Sequence, residues 1–160
     1  MKYLSVFLAS LIILSSSRLI PHPPNFTSLI ALSFYIPALF GTLYIPAVLL
    51  SFVLTDVIIG FHQVTFFTWG SIIVIGYFSK YFSKIITKRF LGVFISCFIF
   101  FIISNLGVWF TGFYEFSFSG LITCYVMAIP FFGNTLISTI IFSLIIECLN
   151  KILIKKKSLL

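Results

Sequence analysis

Ionisable side chains are scarce in this chain, so those that interrupt its apolar runs are the first candidates for chemistry. Arg18 closes the first apolar run and Asp56 falls near the end of the third. They are the one acid–base pair expected at similar depth inside helices. An ionisable group at membrane depth costs roughly 2.5–3.5 kcal/mol on insertion scales, so it faces a partner or a polar cavity. Arg18 and Asp56 are therefore expected to face each other. His22, Asn25, His62, Asn105, Trp109, Tyr125 and Asn134 fall at about the same depth. Two readings follow. In the first, Arg18–Asp56 is a structural lock between two helices. In the second, the group lines a binding cavity. There Arg18 would bind or balance negative charge, while Asp56, His22, Asn25, His62, Asn105 and Asn134 supply hydrogen bonds. Trp109 and Tyr125 would be its apolar walls. Asn105 and Trp109 stand four residues apart and so share a helix face.

Other chemistries find less support. His22, Asp56 and His62 match no compact metal-ligand spacing, so no metal is expected. Neither a nucleophile elbow, nor a zinc-protease pair of histidines, nor a phosphate-binding glycine loop occurs, which argues against an enzyme and against a cofactor. Cys97, Cys124 and Cys148 all lie in apolar runs without a close Cys pair, and read as small hydrophobes.

The elements that must position these groups are membrane helices. Of 160 residues, 61% are hydrophobic and 8% charged, and the mean hydropathy is +1.23. Soluble chains carry about 25% charged residues. Ten basic and three acidic side chains cannot cover a soluble domain of this size. An all-α integral membrane protein with the lipid bilayer as its surroundings is expected. At ~20 residues per crossing the length allows at most about seven spans.

Apolar runs bounded by turn residues place six spans, at about 3–20, 26–40, 43–60, 66–86, 90–110 and 132–149, in a single membrane domain covering 1–160. The first run resembles a secretory signal peptide, but an uncleaved helix suits the charge pattern better. Pro21-His22-Pro23-Pro24-Asn25 reads as a short stiff turn, since proline cannot continue a helix. The stretch 113–130 reads as a loop with a short interfacial or re-entrant helix. Gly133-Asn134 would then open the last span, where free backbone donors meet an anion.

The net charge of +7 does not point to nucleic acid, because its placement is that of cytoplasmic loops. Lys80, Lys84, Lys88 and Arg89 form one cluster after an apolar run, and Lys151, Lys155, Lys156 and Lys157 another. With Lys2, nine of the ten basic residues fall on one side of a six-span protein with both termini inside. Arg18 alone falls outside. Lys80, Lys84 and Lys88 repeat every four residues and predict a basic stripe at the end of the fourth helix, facing lipid headgroups or a cytoplasmic protein. Ser5 and Ala9 form a small-residue pair on the first helix that permits close contact with a partner helix.

At several of these residues the chain resembles a family of small, uncharacterised bacterial membrane proteins. The run Arg18-Leu19-Ile20-Pro21-His22-Pro23-Pro24-Asn25-Phe26-Thr27 carries the signature, an Arg followed by Pro-His and then Asn. Thr55-Asp56, Gly60-Phe61-His62 and Ser104-Asn105-Leu106-Gly107-Val108-Trp109 match further. So do Gly120-Leu121, Cys124-Tyr125 and the run Ala128-Ile129-Pro130-Phe131-Phe132-Gly133-Asn134-Thr135. That family is similar, more distantly, to the substrate-binding S components of energy-coupling-factor (ECF) transporters. The resemblance implies a six-helix bundle in the plasma membrane that binds a small solute near its outer face. It also implies docking on a membrane coupling subunit with ATPases. Where a Gly-Asp pair would be expected after the Asn-Thr motif, this chain has Ser138-Thr139, so no second acidic residue is carried over. The paired alanines of the docking helix are approximated by Ser5 and Ala9. A second reading from a different class stands beside this one: a structural subunit of a membrane complex with no solute site.

Overall fold

Uninterrupted apolar sequence makes long helices here, and glycine or proline ends them. The structure, a computed structural model, describes residues 2–157, with side-chain surroundings up to residue 152. Six α-helices follow in order: α1 Lys2–Leu19, α2 Leu29–Phe40, α3 Ile45–Ile59, α4 Thr65–Ser79, α5 Ile86–Phe110 and α6 Phe118–Lys157. Short 3-10 turns, Thr42–Tyr44 and Lys80–Phe82, lead into α3 and out of α4. No strand occurs among the described residues. Gly41 and Gly60 stop α2 and α3 with φ of 104° and 109°, a region that side chains with a Cβ rarely enter. Their amides return to the carbonyls of Pro37 and Asp56, at 2.9 and 2.8 Å.

Four helical segments are long and apolar enough to cross a membrane: Lys2–Leu19, Thr42–Ile59, Ile86–Phe110 and Phe118–Ile152. That fits a multi-pass membrane protein. The other two helices are short. With 12 residues, α2 reaches only about 18 Å, against a hydrocarbon core of about 30 Å. It compensates by burial: eight of its residues, from Leu29 through Tyr35 and then Pro37, are covered. Helices α3, α4, α5 and α6 all pack on it. Phe34 and Tyr35 anchor one apolar cluster with Ile75, Val93 and Cys97, and Leu32 anchors a second with Leu14, Val48 and Phe52. Helix α1 lies on the flank against α3, through the one-sided stripe Val6, Ser10 and Leu14.

The first three helices start and stop close to the expected spans, but three expectations are corrected. The span at 66–86 ends early, at Ser79, because the chain turns there so that α5 can return along α4. Lys80, Lys84 and Lys88 therefore form no helical stripe. Lys80 sits in the 3-10 turn, Lys84 in the connection and Lys88 in the first turn of α5, all exposed. The loop and re-entrant helix expected over 113–130, followed by a span at 132–149, are replaced by one helix of 40 residues. Pro130 lies within it, on an exposed face. A proline inside a membrane helix is tolerated because neighbouring side chains and small adjustments satisfy the freed carbonyl. Gly133-Asn134 is consequently mid-helix and offers no free backbone donors. Ser5 and Ala9 are exposed on α1, and Lys151 is exposed on α6. The side chains of Lys155, Lys156 and Lys157 lie outside the described residues.

Candidate functional site

The end of α1 brings Arg18 against α3. Its Nη2 lies 2.6 Å from Asp56 Oδ1, its Nη1 donates to Thr55 Oγ1, and its guanidinium sits 4.3 Å from the centre of the Phe52 ring. Asp56 is completely buried, and its second oxygen accepts the indole N–H of Trp69 from α4 at 2.8 Å. The carboxylate thus ties three helices together. A buried charge is tolerable when it is paired and hydrogen-bonded in this way. Thr55 and Trp69 had no signal in the sequence as partners. Trp69 stands 13 residues from Asp56 on another helix, and its one donor is matched to the carboxylate only by the α3–α4 packing.

A cavity of about 610 Å³ opens beside this ion pair, within the range of roughly 300–1,000 Å³ typical of small-molecule sites. Its position follows from the shortness of α2, whose first residues, Leu29 and Ile30, lie at its wall. The proline-rich turn forms another part of the rim. Asn25 adopts a left-handed backbone, φ 62°, which asparagine tolerates better than most residues. Two bonds tie this turn to α6: Asn134 Nδ2 donates to the Pro24 carbonyl at 3.1 Å, and Ser138 Oγ to the Asn25 carbonyl at 3.5 Å.

Of the nine residues expected to bind a solute, Arg18, His22, Asn25, His62 and Asn105 line this cavity. They arrive from α1, the turn after it, the α3–α4 connection and α5. Asp56 stands behind Arg18 and is not part of the lining. Asn105 spends its amide on the Phe101 carbonyl of its own helix, at 2.7 Å. Its side-chain oxygen remains as an acceptor. His22 Nδ1 lies 2.8 Å from the Pro23 carbonyl, and the His62 backbone is fixed by Thr65 Oγ1 at 3.0 and 2.6 Å.

Three expected site residues do other work. Trp109 donates to the Glu115 carbonyl at 3.0 Å and so closes the turn between α5 and α6. Tyr125 donates to the Ile102 carbonyl at 2.8 Å, and Asn134 holds the proline turn as described. None of the three is among the lining residues. The apolar wall is built instead from Phe100 and Phe101 of α5 and Phe131 and Phe132 of α6, with Tyr114 from the connecting turn. Among the described residues no group of three or more His, Cys, Asp or Glu side chains converges to hold a metal ion.

The family model that matches residues 1–159 is that of DUF6580, described as a family of unknown function. The chain belongs to that family. The match spans both the helical core and the cavity, so the cavity lies entirely within the matched region. No curated protein and no solved structure matches the chain significantly.

A second ion pair, outside the expected site, lies at the other end of α5. Arg89 grips Glu147 with Nε on Oε1 at 2.5 Å and Nη2 on Oε2 at 2.8 Å, and its Nη1 donates to the Ser83 carbonyl at 2.9 Å. By sequence, Arg89 is one member of a basic cluster and Glu147 a lone acid 58 positions away. Only the antiparallel packing of α5 on α6 brings them together.

Proposed function

We propose that the chain captures a small polar solute in the cavity beside Arg18, as an S-component-like subunit of an uptake transporter in the bacterial plasma membrane. In this reading six helices cross the bilayer, both termini face the cytoplasm and the cavity faces outward. The exposed lysines of the α4–α5 connection, at the opposite end of the bundle, support that orientation through the positive-inside rule. The observation that carries the reading is the cavity itself. It gathers five separately predicted polar residues from four parts of the chain around a wall of aromatic rings.

The internal closure of Arg18 on Asp56 and Thr55 narrows the solute. An anion would have to compete with a buried carboxylate 2.6 Å from the guanidinium. A neutral solute has only to meet one edge of Arg18, the acceptor of Asn105 and two imidazoles. The sequence carries no nucleotide-binding motif, so uptake would draw its energy from a partner with ATPases or from an ion gradient.

A thermal-stabilisation screen of the purified protein against micronutrients tests this. A solute present at 100 times its dissociation constant adds about 2.7 kcal/mol. Asn105→Leu, which fills the wall and removes the acceptor, is expected to abolish the gain. If no compound stabilises the protein, the second reading takes over. It treats the chain as a structural subunit of a membrane complex. The hydrogen bonds already closed inside the chain by Asn105 and Asn134 favour that reading, and affinity purification of an intact complex would identify it.

A further inference from the structure

Thr139, Ser143 and Glu147 stand four residues apart on α6 and all are buried, so they form one file on the face turned into the bundle. The upper end of the file is at the cavity, whose lining includes Thr139. Its lower end is the Arg89–Glu147 pair. Between them Tyr35, on the central helix α2 and fully buried, places its hydroxyl beside both Ser143 and Glu147. Thr139 meets Cys97 of α5.

A second observation separates these hydroxyls from the rest. Buried serine and threonine side chains elsewhere bond back to their own helix: Ser33 to Leu29, Ser51 to Ala47, Ser96 to Gly92. Such bonds leave the hydroxyl occupied. The oxygens of Tyr35, Thr139 and Ser143 are buried, and none of them bonds back to a carbonyl of its own helix in this way. Ser10, which shares this condition, is apart from them on α1. Buried polar groups seek partners, and a shared water is the usual one where several stand together.

We propose that Thr139, Ser143 and Tyr35 form a proton path from the cavity to the Glu147 carboxylate. It starts at the cavity of the proposed solute site but conducts without any solute. Four residues of helix, about 6 Å of rise, separate Thr139 from Ser143, a gap that one water molecule bridges. A proton taken up on the Thr139 oxygen releases the hydroxyl proton already there to the water. The water passes one on to Ser143, Ser143 to Tyr35, and Tyr35 to a carboxylate oxygen of Glu147. At each step one O–H bond forms and one breaks, so a single proton enters and a single proton arrives. The hydroxyls then rotate back. Arg89 from α5, Tyr35 from α2 and Lys151 one turn further along α6 are the charged and titratable groups that face Glu147. With Glu147 neutral, Arg89 keeps the Ser83 carbonyl as a partner. The proton leaves toward the basic end, where Lys151 is exposed.

The test reconstitutes the full chain in liposomes that enclose a pH-sensitive dye, with a potassium gradient and valinomycin as the driving force and no solute added. Wild-type vesicles are expected to conduct protons faster than protein-free vesicles. Tyr35→Phe, which keeps the ring and removes the hydroxyl, and Ser143→Ala are each expected to bring the flux down to the protein-free level. Tyr77→Phe, an exposed hydroxyl on α4 away from the file, is expected to leave it unchanged. If Tyr35→Phe does not fold, Ser143→Ala decides. Flux no greater than in empty vesicles, or flux that survives in a folded Tyr35→Phe or Ser143→Ala protein, overturns the path. Neither result touches the solute reading, which the thermal screen decides on its own.

Discussion

Arg18–Asp56 joins α1 to α3 at the cavity end of the bundle, and Arg89–Glu147 joins α5 to α6 at the basic end. Both pairs are sheltered, yet they are built differently. Arg89 meets its carboxylate fork to fork, with both oxygens taken by the one guanidinium. Arg18 gives its partner a single nitrogen and spends another on Thr55, while a tryptophan from a third helix takes the remaining oxygen. The bidentate pair links α5 to α6 directly, with the Tyr35 hydroxyl of α2 beside its carboxylate and the Ser83 carbonyl on its guanidinium. The shared pair needs three helices to complete it and leaves an edge of Arg18 on the cavity. One arrangement stands away from the cavity; the other stands at its wall.

Breaking each pair in turn measures that difference. The largest loss is expected at the basic end. Glu147→Ala leaves the Arg89 guanidinium sheltered without a counter-charge, which costs about 3–5 kcal/mol. The check is the midpoint of thermal or detergent-induced unfolding. Asp56→Ala is expected to cost less, about 1–3 kcal/mol, because Arg18 borders the cavity and water can reach it once its partner is gone. Equal losses at the two sites would erase the distinction between the bidentate pair and the shared one. Trp69→Phe sharpens the same point with a smaller change. It removes one hydrogen bond to a carboxylate and keeps an aromatic ring, so about 1–2 kcal/mol is expected. A loss as large as that of Asp56→Ala would mean that the indole, not the arginine, holds the carboxylate in place. Lys84→Ala, at an exposed position between α4 and α5, is the baseline and is expected to fall within about 0.5 kcal/mol of wild type.

The cavity end was far more legible in the sequence than the basic end. Pro21 to Asn25 announced a turn through proline alone, and Arg18 and Asp56 were conspicuous as charges in apolar surroundings. Their pairing followed from depth, since few partners exist at that level. The long helix α6 was hidden for the opposite reason. Pro130, Gly133 and the mixed small and aromatic residues before them look like chain breakers by the habits of soluble proteins. In an apolar setting backbone hydrogen bonds have no competitor, so the helix continues through them. The roles of Trp109 and Tyr125 were missed because both donate to backbone carbonyls, and a carbonyl leaves no trace in residue identity. Arg89 was masked by its neighbours: among Lys80, Lys84 and Lys88 it reads as one more solvated charge, and nothing local points to Glu147.

The central claim is that the cavity beside Arg18 holds a small solute. Native mass spectrometry of protein purified in mild detergent, with candidate solutes added, tests it most directly. The account predicts that the wild-type chain carries one bound small molecule and that Asn105→Leu carries none, while Lys84→Ala binds as wild type does. A wild-type chain that stays bare with every candidate, or a bound molecule that persists unchanged in Asn105→Leu, would contradict it.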